Sequence, residues 1–193
     1  MTGRRQDPPP ALEPWVTLSR TTVLQDRWMT LHAEACRLGN GVVLDPYYVI
    51  EERDWVHVYA RGEDARLLTV TQYRHPAGVF CTELPGGVVD AGEAPLAAAR
   101  RELREETGFA ATHWEKVGQL WANPARQTNR VHVFLAEGLD DGGAQALDEA
   151  EEIVHQFESE AEVKAKMASG AFGQALHVAS FYLVQEHLRT RGG

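Results

Sequence analysis

Three glutamates, Glu102, Glu105 and Glu106, follow Arg101 in a short segment that opens on Gly86-Gly87. Like charges three and four residues apart repel one another on a helix and weaken it. A bound cation would offset that repulsion. Glu102 and Glu106 are four residues apart and share a helix face, and Glu105 neighbours it. Converging carboxylates form a hard oxygen donor set suited to Mg²⁺, with Mn²⁺ as the alternative, and such ions bridge to substrate phosphates. Gly86 and Gly87 allow a close backbone approach, so that a carbonyl can add a ligand. Arg101 lies four residues before Glu105 and can brace it. A solvated acidic face is the ordinary role of a glutamate-rich helix; here the surrounding spacing is more demanding.

That spacing runs Gly87, five residues, Glu93, seven residues, Arg101-Glu102-Leu103, one residue, Glu105-Glu106, one residue, Gly108-Phe109. It resembles the Nudix box at every defining position, over residues 87–109. The resemblance extends to Gln72–Arg74, Glu83–Gly87, Asn123-Pro124 and Val131–Leu139, which are similar to the ADP-ribose and nucleotide-sugar pyrophosphatase branch. Pro124, 16 residues past Gly108, stands where that branch carries a proline. At one place the chain departs from it: Asn123-Pro124-Ala125-Arg126 replaces the common Ser-Pro-Gly-Phe.

The resemblance implies an α+β fold, a Nudix-type α/β/α sandwich with a mixed sheet and an N-terminal antiparallel strand extension. It implies Mg²⁺-dependent hydrolysis of a nucleoside diphosphate linked to another moiety, ADP-ribose or another nucleotide sugar first. The metal would be held by the Gly86 carbonyl with Glu102, Glu105 and Glu106, while Glu93 lies in the outer shell or helps to fix the loop. Glu105 and its brace Arg101 belong to the catalytic set. The base would come from a late loop with three candidates, Glu149, Glu151 and Glu152, of which Glu151 aligns best. Arg74 and Glu83 are expected at the diphosphate or ribose. Trp28 would stack on the base with Tyr47 or Tyr48, and Arg126 would read the terminal sugar or a further phosphate. The resemblance also implies a homodimer with exchanged N-terminal strands. Two other readings are a non-catalytic nucleotide-binding regulator and a nucleoside triphosphate pyrophosphohydrolase. Non-catalytic relatives typically lack one of the box glutamates, all of which are present here.

The elements that must position these residues are legible in part. Strands are expected at "TTVLQ", "WMTLHAEACRL" and "VVLDPYYVIEE", the last two joined by a hairpin at Gly39-Asn40-Gly41. "DWVHVYA" and "RLLTVTQY" form a second hairpin, and "VFCTELP" leads into the glycines. Pro95 suits a first helical turn, Leu96, Ala99 and Leu103 share one face, and Gly108 stops the helix. Two further strands are expected at "WEKVGQLWA" and "RVHVFLAEGL", a mobile loop at 138–150, and one helix from Glu158 to Leu188. The domains read as a flexible leader over 1–14, a dimerising strand region over 15–53 and a catalytic domain over 54–193.

Composition sets outer bounds. The 193 residues suit one sizeable domain with a small extra lobe. A net charge of -9 argues against non-specific nucleic-acid binding, which needs dense basic patches. No apolar run is long enough to span a membrane, and the first residues lack the apolar stretch of a signal peptide. Cys36 and Cys81 have no metal-type spacing and read as reduced thiols of a cytoplasmic protein.

Overall fold

Three antiparallel strands make the sheet of the first unit: β1 (Val16–Gln25), β2 (Thr30–Arg37) and β3 (Val43–Glu51). The computed structural model describes residues 12–140 and 142–191, which fall into two units. The first holds the chain as far as Glu52, with Asn123–Thr128. The β2–β3 hairpin turns at Asn40-Gly41, where the Asn40 side chain accepts the Val42 N–H at 3.1 Å. Polar pairs tie the strands side by side: Arg20 meets buried Glu34 at 2.6 Å, and His32 meets Glu51 at 3.2 Å. The 123–128 segment docks on β3. The Ile50 N–H donates to the Arg126 carbonyl, the Thr128 N–H to the Ile50 carbonyl, and the Tyr47 hydroxyl to the Ala125 carbonyl.

The second unit comprises Arg53–Ala122 and the chain from Asn129 onward. Its strands are β4 (Trp55–Arg61), β5 (Leu67–Arg74), β6 (Val79–Glu83), β7 (Ala111–Trp121), β8 (Arg130–Leu139) and β9 (Val154–Glu158). They run in the order β6-β5-β4-β8-β7, and β9 pairs with β5. The β4–β8 pairing is parallel and the others are antiparallel, so the sheet is mixed.

Period-two alternation in the central strands builds two cores. Val56, Val58 and Ala60 of β4 and Phe134 and Ala136 of β8 pack against Ala98, Ala99 and Leu103 of α1 (Pro95–Thr107). The intervening Tyr59, Val131, Val133 and Leu135 pack against Val163 of α2 (Glu160–Ser169) and Phe181 and Val184 of α3 (Ala175–Arg191). The unit is therefore an α/β/α sandwich, the fold class that the resemblance implies. No helix among the described residues is long and apolar enough to cross a membrane.

Four expectations are corrected. First, the opening strand is twice as long as "TTVLQ", because it pairs with β2 from Val16↔Arg37 to Gln25↔Thr30. Second, β9 was not foreseen, since its five residues alternate in burial but follow an acidic run with no apolar stretch. Third, the single helix over 158–188 is two. Ser159 and Glu162 form a capping box on α2, and Gly170 ends it in the left-handed region at φ 84°. The Gln174 side chain then accepts the His177 N–H at 3.0 Å and starts α3. Fourth, residues 138 and 139 belong to β8, and the following loop is tied to the end of α1. Gly143 N–H donates to the Gly108 carbonyl and Ala146 N–H to the Glu105 carbonyl. The last carbonyls of a helix have no intrahelical partner, and this loop supplies one. Most of the expected leader, residues 1–11, lies outside the described residues.

Between β4 and α3, His57 and His177 stack face to face, with ring centroids 3.7 Å apart and planes 15° from parallel. Burial pushes the His57 imidazole down to about 3, and burial also drives His177 well below its ordinary value. Both rings are therefore neutral in the folded protein. A lowered histidine pKa means the unfolded chain binds more protons in acid, so stability present above about pH 6.5 is lost as pH falls. At pH 5 the His57 contribution should be about 2 kcal/mol. Urea unfolding at pH 7 and pH 5 checks this: wild type should lose about 2 kcal/mol more than His57→Asn over that interval.

Candidate active site

Helix α1 starts at Pro95, where the missing proline N–H is no loss, and ends at Gly108. Its inward face buries Ala98, Ala99 and Leu103, and the same helix buries Glu102 and Glu106. Two buried carboxylates need polar partners. The Pro85–Gly87 segment, which follows β6, supplies one as it crosses to β4. Val58 N–H donates to the Pro85 carbonyl and Val56 N–H to the Gly87 carbonyl, each at 2.8 Å. The Gly86 N–H then donates to Glu106 Oε2 at 2.8 Å. A side chain at Gly86 would not fit, and one at Gly87 would displace a carboxylate. A Cβ on Gly86 would lie 2.1 Å from the Val56 carbonyl oxygen, and one on Gly87 would lie 2.4 Å from Glu102 Oε1.

Arg101 organises the exposed side of the helix. Its guanidinium reaches Glu93 at 3.1 Å, Glu102 at 2.8 Å, Glu105 at 3.0 Å and the Val88 carbonyl at 2.9 Å. The brace to Glu105 read from the spacing is thus one of four contacts. Glu93 also accepts the Asp90 N–H at 3.0 Å, closing the loop before the helix. Arg101 holds the Glu93 carboxyl below its ordinary value. Glu102 goes the other way: burial pushes it up to about 7, against the pull of Arg101, and the charges of Glu105 and Glu151 add to the rise. Burial raises Glu106, 3% exposed, well above the carboxylate range; the Gly86 N–H opposes this, and Glu102, Glu151 and Glu83 reinforce it.

This electrostatic state tests the fit to a cation. Both carboxylates are raised by burial, Glu102 raises Glu106 further, and Glu102 shares its one arginine with Glu93 and Glu105 while Glu106 has only the Gly86 N–H. The Gly86 carbonyl accepts no hydrogen bond among the described residues. The oxygen donors suit a hard divalent ion, which would restore both carboxylates to the charged form. Arg101 draws Glu102 and Glu105, Gly86 draws Glu106, and no cluster of three acidic, histidine or cysteine side chains placed to hold a metal ion is found among the described residues.

Arg74, at the end of β5, is clamped by Glu83 through two hydrogen bonds, one of 2.9 Å from Nε and one of 2.5 Å from Nη2. Glu83 is 1% exposed and spends its carboxylate on Arg74, while the Arg74 side chain stays 44% exposed. Glu151 lies on the exposed late loop, where its carboxylate accepts the Asp148 N–H at 3.1 Å. Its charge is among those that raise both Glu102 and Glu106. Gln145, which no sequence signal marked, donates to the Glu106 and Ile153 carbonyls and so ties the loop to the helix. His177 and Ser180 were also not foreseen, because their partners are distant in the chain. Trp28, 68% exposed, Tyr48, 49% exposed, and Arg126 lie in the first unit and are not among the residues gathered around α1.

Two family models match the chain: the NUDIX domain over residues 52–176 and the nucleoside diphosphate sugar hydrolase N-terminal domain over residues 15–50. The chain is 31% identical over 179 residues to an ADP-ribose pyrophosphatase of Mycobacterium tuberculosis, covering 91% of this chain and 84% of that one. It is 31% identical over 123 residues to an ADP-ribose pyrophosphatase of Bacillus subtilis, covering 64% of this chain and 66% of that one. The crystal structure of an ADP compounds hydrolase superposes with a TM-score of 0.80 at 24% identity, covering 94% of this chain and 98% of that one, a likeness of fold.

Two outcomes follow for the carboxylates. Glu106→Gln keeps size but removes a charge where a divalent ion would sit, and turnover at saturating Mg²⁺ should fall by about two orders of magnitude or more. Glu102 is raised on folding, so the folded state binds the extra proton. Its contribution to stability is present at low pH and is lost as pH rises from about 4.5 to about 7. A divalent ion removes that loss. Mg²⁺ should therefore raise Tm more at pH 8 than at pH 5.5 in thermal scans, and equal shifts would count against metal binding at these carboxylates.

Proposed function

The chain belongs to the Nudix hydrolase family, and from that membership we propose that it hydrolyses the diphosphate of a nucleotide sugar to a nucleoside monophosphate and a sugar phosphate. The carrying observation is the buried Glu102–Glu106 pair facing the Gly86-Gly87 backbone, with Arg101 bridging to Glu93 and Glu105. The match of residues 15–50 to the N-terminal domain of nucleoside diphosphate sugar hydrolases supports this substrate class. ADP-ribose or an ADP-sugar is placed ahead of GDP-mannose, in keeping with the names of the relatives.

When bound, Mg²⁺, or Mn²⁺ in its place, would neutralise phosphate charge and acidify a water. Glu102, Glu105, Glu106 and the Gly86 carbonyl would hold it. Arg101 positions Glu102 and Glu105 and does not itself need to touch substrate. Glu151 would take the proton of the attacking water. Arg74, pre-set by Glu83, presents its free guanidinium edge to the diphosphate, which limits the side-chain entropy lost on binding. In the first unit, Trp28 and Tyr48 offer exposed aromatic faces for the base, and Arg126 a charge for the sugar or a further phosphate.

A homodimer is part of the same reading. All ten residues of β1 are exposed, among them Val16, Leu18, Val23 and Leu24, and a long apolar edge strand invites pairing. The two cysteines are free and buried, which suits work in the reducing cytoplasm.

With Mg²⁺, a panel of ADP-ribose, ADP-glucose, GDP-mannose, NADH, diadenosine polyphosphates and nucleoside triphosphates should show fastest turnover on an ADP-sugar, with a nucleoside monophosphate among the products. Preference for triphosphates with release of pyrophosphate would overturn the reading, and tight binding without turnover would point to a regulator. Light scattering at micromolar concentration should give twice the chain mass; a monomer would remove the dimer from the proposal.

A further inference from the structure

Behind Arg74 lies a buried polar chain that the reaction itself does not use. The Leu84 N–H donates to His177 Nδ1 at 3.2 Å. A backbone N–H can only donate, so Nδ1 is the acceptor and the neutral ring carries its proton on Nε2. That Nε2 faces Glu83 Oε2 at 3.6 Å, beyond hydrogen-bond length, so the contact is an N–H dipole directed at a carboxylate. Glu83 in turn makes the two-pronged clamp on Arg74. The ring is fixed from the other side as well. His57 stacks on it, and the His57 Nδ1 meets Ser180 Oγ at 2.9 Å, one turn along α3 from His177. Phe172 closes the edge, with its ring perpendicular to His177 at 6.4 Å.

Only the outermost member of the chain reaches solvent. The Arg74 side chain is 44% exposed, while those of Glu83 and His177 are 1% and 5% exposed. A carboxylate this buried has few ways to be satisfied, and its orientation is set by the groups around it. Gln72 adds a bond to the same Glu83 oxygen, Oε2, at 3.4 Å.

We propose that His177 is a positioning residue: from α3 it orients Glu83, and through Glu83 it fixes the Arg74 guanidinium in the pose that meets the substrate's diphosphate. This rests on the reading of Arg74 given under Proposed function. The relay accounts for a neutral histidine buried opposite a carboxylate, and it links α3, on the far face of the sheet from α1, to substrate binding.

The test compares His177→Phe, which keeps ring volume but has no ring nitrogens, with His177→Gln, which restores a donor near the Nε2 position. Each is made in wild-type and Arg74→Ala backgrounds. KM for ADP-ribose with Mg²⁺ and Kd for ADP by calorimetry are both read, so that binding is scored even without turnover. His177→Phe should raise KM and Kd about tenfold while kcat changes little, the signature of lost uniform binding. His177→Gln should recover most of that loss. In the Arg74→Ala background the His177→Phe effect should vanish, because its route of action is gone. Unchanged KM and Kd in a folded His177→Phe protein would overturn the relay, and so would a full tenfold effect persisting without Arg74. If Arg74→Ala binds ADP as wild type does, the role of Arg74 itself fails, and the relay fails with it.

Discussion

The close approach of the Gly86-Gly87 backbone to its neighbours is the constraint on which the site depends. No side chain fits at Gly86, where a Cβ would lie 2.1 Å from the Val56 carbonyl oxygen, and one at Gly87 would lie 2.4 Å from Glu102 Oε1 and displace that carboxylate. The bare backbone can therefore bond to β4 through Pro85 and Gly87 and offer its Gly86 N–H to Glu106 at the same time. Helix α1 is fixed at the correct height by Ala98, Ala99 and Leu103 packed on the same strand. A larger residue at Gly86 would have to push this backbone away from β4, and one at Gly87 would turn the Glu102 carboxylate aside.

That environment is electrostatically unfinished. Burial drives both Glu102 and Glu106 toward protonation, and one arginine divided among three glutamates does not reverse it. Arg101 keeps the exposed carboxylates apart from Glu106 and ties them to the loop through Glu93. The protein thereby stores unfavourable carboxylate desolvation that a divalent cation would relieve. The same logic, with the opposite sign of charge, applies behind the sheet. There the buried Glu83 is satisfied by Arg74, and the imidazoles nearby stay neutral rather than compete for it.

Loops complete what the helices and strands begin. Residues 142–153 are bound to the end of α1 and its Gly108 cap through Gly143, Ala146 and Gln145, and they carry Glu151 into the field of Glu102 and Glu106. Their composition of glycine, alanine and aspartate suggests only freedom. The unsatisfied helix end supplies the reason for order, and no local property of the loop sequence contains it.

The chain by itself determined the cluster of glutamates, the glycines before it, the helix from Pro95 to Gly108, the Asn40-Gly41 hairpin and the strands of the central sheet. Each of these is written in local spacing: turn chemistry, helical or two-residue periodicity, and the fixed offsets of the box. Tertiary structure alone decided the rest. It paired β9 with β5, although five mostly polar residues carry no strand signal of their own. It broke the last helical stretch at Gly170 so that Phe172 could enter the core and Ala171 could accept the Thr82 N–H. It turned Glu83 inward to clamp Arg74 and set His177 behind it, held by the Leu84 N–H across 93 residues of chain. Such contacts depend on which groups find themselves buried together, and burial is a property of the folded chain as a whole rather than of any short segment of it.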